Sequence, residues 1–158
     1  MAILNIVKEG DPTLRKVCRP VTEITPRILQ LIEDMKETLL EANGVGLAAP
    51  QVGILRRIVI VDTGDELVEL INPEIIEFEG EQEEVEGCLS VPDVWGITQR
   101  PYWVKVKAMN KDGEEFTIEG EDLLGRCFCH EIDHLNGQLF TDKTIRYLTA
   151  EEVEEMRD

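Results

Sequence analysis

Residues 103–136 read WVKVKAMNKDGEEFTIEGEDLLGRCFCHEIDHLN, and the change of period inside this stretch decides the fold. Trp103–Met109 and Glu114–Glu119 flank Asn110-Lys111-Asp112-Gly113, a polar insert of turn-forming residues, which predicts a β-hairpin. From about Glu121 a helix is expected to run to Asn136, with Gly137 ending it. Upstream, Arg57–Asp62, Leu67–Asn72 and Glu74–Glu79 are strand-like runs that succeed one another with no helix between them. Strands in such succession pair antiparallel, because parallel neighbours need long crossovers. An earlier helix opens at Thr25-Pro26, a cap followed by a first-turn proline. Ile28, Leu31, Ile32, Met35 and Leu39 then recur at helical spacing until Gly44. A last short helix is signalled by Thr149 with Glu152, a capping box. The class expected is α+β, with strands lying between two main helices.

At 158 residues, without repeats or linkers, the chain is expected to form a single domain over residues 1–158. Net charge is −17, from 33 acidic and 16 basic residues. No run is basic enough to neutralise phosphates, so direct nucleic-acid binding is not expected. No segment suits a membrane span, and the first residues lack the basic start of a secretory signal, so a cytoplasmic protein is expected. In that setting Cys18, Cys88, Cys127 and Cys129 are read as reduced thiols, available for metal binding or simple burial.

The only two histidines stand in His130-Glu131-Ile132-Asp133-His134. Four residues of helix rise about 6 Å and return to within roughly 40° of the starting direction, so both imidazoles project from one face and can share a metal ion. Glu131 sits beside the first, within reach of a water at that metal without being a ligand. A catalytic site of this kind normally has a third protein ligand and an open position. Phe140 occupies the place where one protease group carries a third histidine, and it cannot bind metal. Glutamates at 151–155 and the thiol of Cys88 both stay open as candidates, the second against the commoner fate of an isolated cysteine, plain burial.

Gly44-Val45-Gly46-Leu47-Ala48-Ala49-Pro50-Gln51 superficially resembles a dinucleotide-binding fingerprint, but it follows a helix and soon meets Pro50, which rejects that reading. Small residues here allow a tight connection into the next strand, or close approach of a substrate to the backbone. In the second case Gln51 offers an amide donor toward a developing oxyanion.

Taken together, the glycine-rich loop ending in Gln51, the segment Glu86-Gly87-Cys88-Leu89-Ser90 and the segment from His130 to His134 resemble, in order and separation, the three motifs of peptide deformylases. That resemblance spans nearly the whole chain. It implies antiparallel sheets wrapped around a central helix that carries the H-E-x-x-H motif, and it makes Cys88 the third metal ligand. It implies release of formate from the N-terminal formyl-methionine of nascent polypeptides. Ferrous iron is the implied metal, with zinc, nickel or cobalt able to occupy the same ligands. Glu131 becomes the general base and acid, and the Gln51 amide and the Leu89 backbone N–H become the oxyanion donors. Leu123 and Cys127, on the histidine face, are read as an apolar wall for the methionine side chain. Val45 and Gly46 run beside the peptide, with Glu86 and Gly87 at the pocket. A transient ribosome contact is also implied, although the acidic end Thr149–Asp158 differs from the basic C-terminal helix of some relatives. Cys129 replaces a glutamine common in that family, and Trp95 an arginine found in some members; Cys129 is expected to be a buried thiol, not a ligand.

Overall fold

The computed structural model describes residues 2–157. Helix α1 spans Pro26–Ala42, with the Thr25 side chain accepting the Ile28 N–H. It stops at Asn43, one residue before the glycine expected to end it: Asn43 adopts a left-handed conformation (φ 55°) and its N–H reaches the carbonyls of Leu39 and Leu40. Five strands follow as one antiparallel sheet, β1 (Gly46–Ala48), β2 (Ile58–Asp62), β3 (Leu67–Glu79), β6 (Trp103–Met109) and β7 (Glu115–Glu121), in the order β1-β2-β3-β6-β7. A second antiparallel sheet has the order β4-β5-β8, from β4 (Gln82–Cys88), β5 (Val91–Arg100) and β8 (Thr144–Tyr147). Helix α2 covers Leu123–Leu135 and α3 covers Ala150–Arg157.

Strand β2 shows why the larger sheet sits where it does. Its Ile-Val-Ile-Val run does not alternate with polar residues, and Ile58, Val59, Ile60 and Val61 are all buried. Such a strand must be covered on both faces. Ile58 and Ile60 pack with Ile32, Met35 and Leu39 of α1, while Val59 and Val61 pack with Phe128, Ile132 and Leu135 of α2. The sheet thus lies between the two main helices, and α2 is held by apolar residues that alternate with its polar ones. The last helix has the capping box read from the sequence, with Thr149 and Glu152 exchanging side-chain to backbone bonds of 3.1 and 3.2 Å.

Three expectations are corrected. The runs at 67–72 and 74–79 form one strand, interrupted by a register shift between Ile71 and Glu74. Helix α2 begins at Leu123, because Asp122 takes a positive φ of 54° that breaks helical geometry before it. The second sheet was foreseen only as the segment around Cys88. Its inward residues include Gln82, Glu86, Thr98 and Arg100, all buried, so no hydrophobic alternation marks its strands.

Asn72, at the shift in β3, has a positive φ of 53°. Its side chain accepts the Val21 N–H and donates to the Val21 carbonyl, both at 2.8 Å, which ties the segment before α1 to the sheet. Asn72→Ala leaves both backbone groups without these partners and replaces a residue that tolerates the left-handed region with one that does so less well. A loss of about 2–4 kcal/mol is expected, measured by urea unfolding.

Candidate active site

The β4–β5 hairpin brings Cys88 to α2. The strands pair from Gln82↔Arg100 to Glu86↔Gly96, then the register shifts before Cys88↔Val91. A shift of this kind re-aims the side chains beyond it. Cys88 Sγ lies 3.4 Å from His134 Nε2, and the ring centroids of His130 and His134 are 5.1 Å apart. One donor atom from each of Cys88, His130 and His134 lies within 4.8 Å of the other two. Of the candidates left open, Cys88 joins the two histidines in this cluster, and among the described residues no α3 glutamate does. His130 Nδ1 is occupied by Glu86 Oε1 at 2.8 Å, which leaves Nε2 for the shared centre. Burial drives His134 toward its neutral, ligating form, lowering its pKa well below the usual value. A soft sulfur with two imidazole nitrogens, converging at this spacing, fits one first-row divalent cation with room for a further ligand.

Glu131 is 4% exposed, and its Oε2 is 3.9 Å from His130 Nε2. Its Oε1 is buried with no hydrogen-bond partner among the described residues. Burial pushes this carboxyl up to about 7. The glycine-rich segment becomes β1 followed by a 3-10 turn at Ala49–Val52, and its small residues have a local cause. A β-carbon on Gly46 would stand 2.5 Å from Glu131 Oε2, so only glycine lets β1 approach that carboxylate. The Gln51 amide is fixed at both ends: Oε1 accepts the Ala48 N–H at 2.9 Å, and Nε2 donates to Ser90 Oγ at 3.1 Å and toward Cys88 Sγ at 3.5 Å.

These groups line a cavity of about 440 Å³ between β1, β4, the start of β5 and α2. Every site residue singled out from the sequence lines it except His134, which is 1% exposed and not part of the cavity surface. Glu86 lines it too, but its carboxylate is engaged inward by His130, Thr98 and Arg100, the last through two bonds of 2.9 Å. Burial alone would raise the Glu86 pKa; His130 and Arg100 outweigh it and hold the group well below the ordinary 4.5. Arg100 continues to Asp133 at 2.6 Å, and Asp133 to Lys143 at 3.0 Å. Arg100, Thr98, Ser90 and Asp133 were not singled out from the sequence. Only Ser90 and Asp133, inside the quoted Glu86–Ser90 and His130–His134 segments, had positions that could have suggested them.

A family model for polypeptide deformylase matches residues 3–149. The chain belongs to that family. The peptide deformylase of Acetivibrio thermocellus is 56% identical over 158 residues, covering 100% of this chain and 93% of its own. The crystal structure of the Thermotoga maritima peptide deformylase superposes with a TM-score of 0.89 at 43% identity, over 91% of this chain and 99% of that one. A class I type b peptide deformylase from Acinetobacter baumannii, crystallised with Met-Ala-Ser bound, gives a TM-score of 0.85 at 37% identity, over 90% of this chain and 98% of that one.

Among the departures from the common deformylase pattern, Cys129 is 5% exposed and packs in the apolar core, and burial pushes its thiol up to about 11. Trp95 lines the cavity with its ring against Gly87, where a β-carbon would stand 2.3 Å from it. A side chain at Gly87 would displace the indole.

Proposed function

We propose that this chain removes the formyl group from the N-terminal formyl-methionine of nascent polypeptides and releases formate. Cys88, His130 and His134 would hold the one divalent cation that the reaction needs. The observation that carries this reading is the approach of these three donor groups to within 4.8 Å of one another beside the buried Glu131. A cation there supplies Lewis acidity, acidifying water and polarising a carbonyl oxygen.

Glu131 takes the proton of the attacking water at its buried carboxylate and returns it to the departing amine. The Gln51 Nε2 and the Leu89 backbone N–H donate to the oxyanion that develops at the formyl carbon. Leu123 and Cys127 receive the methionine side chain; burial pushes the Cys127 thiol up to about 12, so it stays protonated and apolar in character. Val45, Gly46 and Gly87 line the path of the peptide backbone. Glu86 orients His130 through Nδ1 and so fixes which nitrogen faces the metal. The Met-Ala-Ser bound to the Acinetobacter relative supports a peptide that begins with methionine as the product.

Ferrous iron is the proposed resident metal, with zinc, nickel and cobalt as substitutes that the same soft donor set accepts. Residues 1–158 act as one catalytic unit in the cytoplasm, meeting nascent chains in transient contact with the ribosome. No helix among the described residues is long and apolar enough to cross a membrane. The decisive experiment is an anaerobic assay of formate release from a formyl-methionyl peptide, with metal analysis of the same sample. Formate production at about one metal per chain is expected, lost on chelation and restored by ferrous iron, while the chelated protein stays folded. Unfolding on chelation would instead mark a structural metal site.

A further inference from the structure

The two donors proposed for the oxyanion, the Gln51 amide and the Leu89 backbone N–H, stand on separate elements. Gln51 lies in the 3-10 turn Ala49–Val52, and Leu89 in the two-residue connection Leu89-Ser90 between β4 and β5. Such donors stabilise a developing charge only if they are held in place beforehand, because donors that must reorient spend that energy during the reaction. Ser90 is the residue that links the two. It follows Leu89 through a peptide bond, and its Oγ accepts Gln51 Nε2 at 3.1 Å. Both Ser90 and Gln51 are buried. Backbone bonds repeat the link: the Val7 N–H donates to the Gln51 carbonyl and the Glu9 N–H to the Ser90 carbonyl, each at 2.7 Å. One short segment thus clamps both backbones.

The hydrogen-bond chemistry of the neighbours orients the amide. A backbone N–H can only donate, so the end of the Gln51 amide that faces Ala48 N–H is the oxygen, Oε1, at 2.9 Å. Nε2 then keeps two hydrogens for the other side. Ser90 Oγ takes one, and the second is directed toward Cys88 Sγ, 3.5 Å away, and so toward the donor cluster of Cys88, His130 and His134. The last torsion of a glutamine is intrinsically broad, with no deep staggered well to hold it, so external bonds must set it. We infer that Ser90 is a positioning residue for the reaction: its hydroxyl pins one hydrogen of the Gln51 amide and keeps the other aimed at the donor cluster. This rests on the deformylase reading of the site. A tight connection between strands accounts for a small residue at position 90, but not for a buried hydroxyl bonded to Gln51.

The test is Ser90→Ala, which removes only the oxygen, placed in a double-mutant cycle with Gln51→Ala. Formate release from formyl-Met-Ala-Ser is measured anaerobically on the ferrous-iron-loaded proteins, with metal analysis of each. Ser90→Ala is expected to lose roughly ten- to a hundred-fold in kcat, less than the loss of about 10²–10³ for deleting an oxyanion donor outright, with KM within about two-fold and metal content unchanged. In the Gln51→Ala background the same change should cost less than about two-fold, because the group it positions is gone. A second readout needs neither turnover nor a variant. In the zinc-loaded wild type, which is diamagnetic, one Gln51 amide hydrogen should show a nuclear Overhauser contact to the Ser90 β-hydrogens and exchange with water at least about ten-fold more slowly than a free glutamine amide. This decides the matter even where Ser90→Ala fails to fold. An absent contact, an unchanged kcat in Ser90→Ala, or an equal loss in both backgrounds overturns the inference and leaves the deformylase reading intact. A metal-loaded wild type that releases no formate overturns both.

Discussion

Glu131→Gln is expected to bind metal as the wild type does and to lose about 10²–10⁴-fold in kcat. The substitution keeps the shape, turns one acceptor oxygen into an NH2 donor, and removes the ability to take a proton and give it back. Glu131 is not a member of the three-residue donor cluster, so metal content should not depend on it. Its carboxylate, with Oε2 3.9 Å from His130 Nε2, is the group whose proton acceptance is lost. Burial holds the metal-free carboxyl at about 7, and a cation at the site pulls it lower by favouring the charged form. Activity in the wild type should therefore rise with pH along an acidic limb whose midpoint lies below 7, and this limb should be missing from the variant. Formate release across pH, with metal analysis of each sample, checks both statements. Turnover within a few-fold of the wild type would remove Glu131 from the chemistry.

Elements marked by apolar period were legible in the sequence. Helix α1, the β6–β7 hairpin and strand β2 each have inward positions filled by Ile, Val, Leu, Met or Phe, and each appears near its expected limits. The β4–β5 pair was not legible as two strands, because its inward positions hold Gln82, Glu86, Thr98 and Arg100, which on a polar chain look like surface. The same residues explain what was missed at the site. Cys88, His130 and His134 could be singled out by chemistry and spacing, but Glu86, which orients His130, is itself held by Thr98 and Arg100 from β5, which the sequence does not connect to α2. Gly46, which the sequence offers as room for a tight connection or for a substrate, also has the Glu131 carboxylate 2.5 Å from where a β-carbon would be. The period of a chain reports the apolar core; a polar core is visible only once its partners are in place.

That polar core carries the largest stability effect expected here. Arg100 has a side chain 2% exposed and joins Glu86, 6% exposed, to Asp133, 14% exposed. Arg100→Met keeps most of the volume but removes the cation, leaving Glu86 with His130 and Thr98, and Asp133 with Lys143. A buried carboxylate that loses its principal cation costs about 3–5 kcal/mol, to be read from urea unfolding of the metal-free protein so that ligand binding does not contribute. The pH dependence has a definite sign. In the wild type the folded state holds the Glu86 pKa below the ordinary 4.5, so this stabilisation is complete above 4.5 and fades as pH falls from there toward the depressed value. Without Arg100 the depression shrinks, and the gap between variant and wild type should narrow below about pH 4.5. Glu86→Gln combined with Arg100→Met should be less damaging than the sum of the two changes, because the second no longer leaves a charge stranded. A gap that stays constant from pH 7 to pH 3, or strict additivity of the two substitutions, would mean that the pair is held by packing rather than by charge.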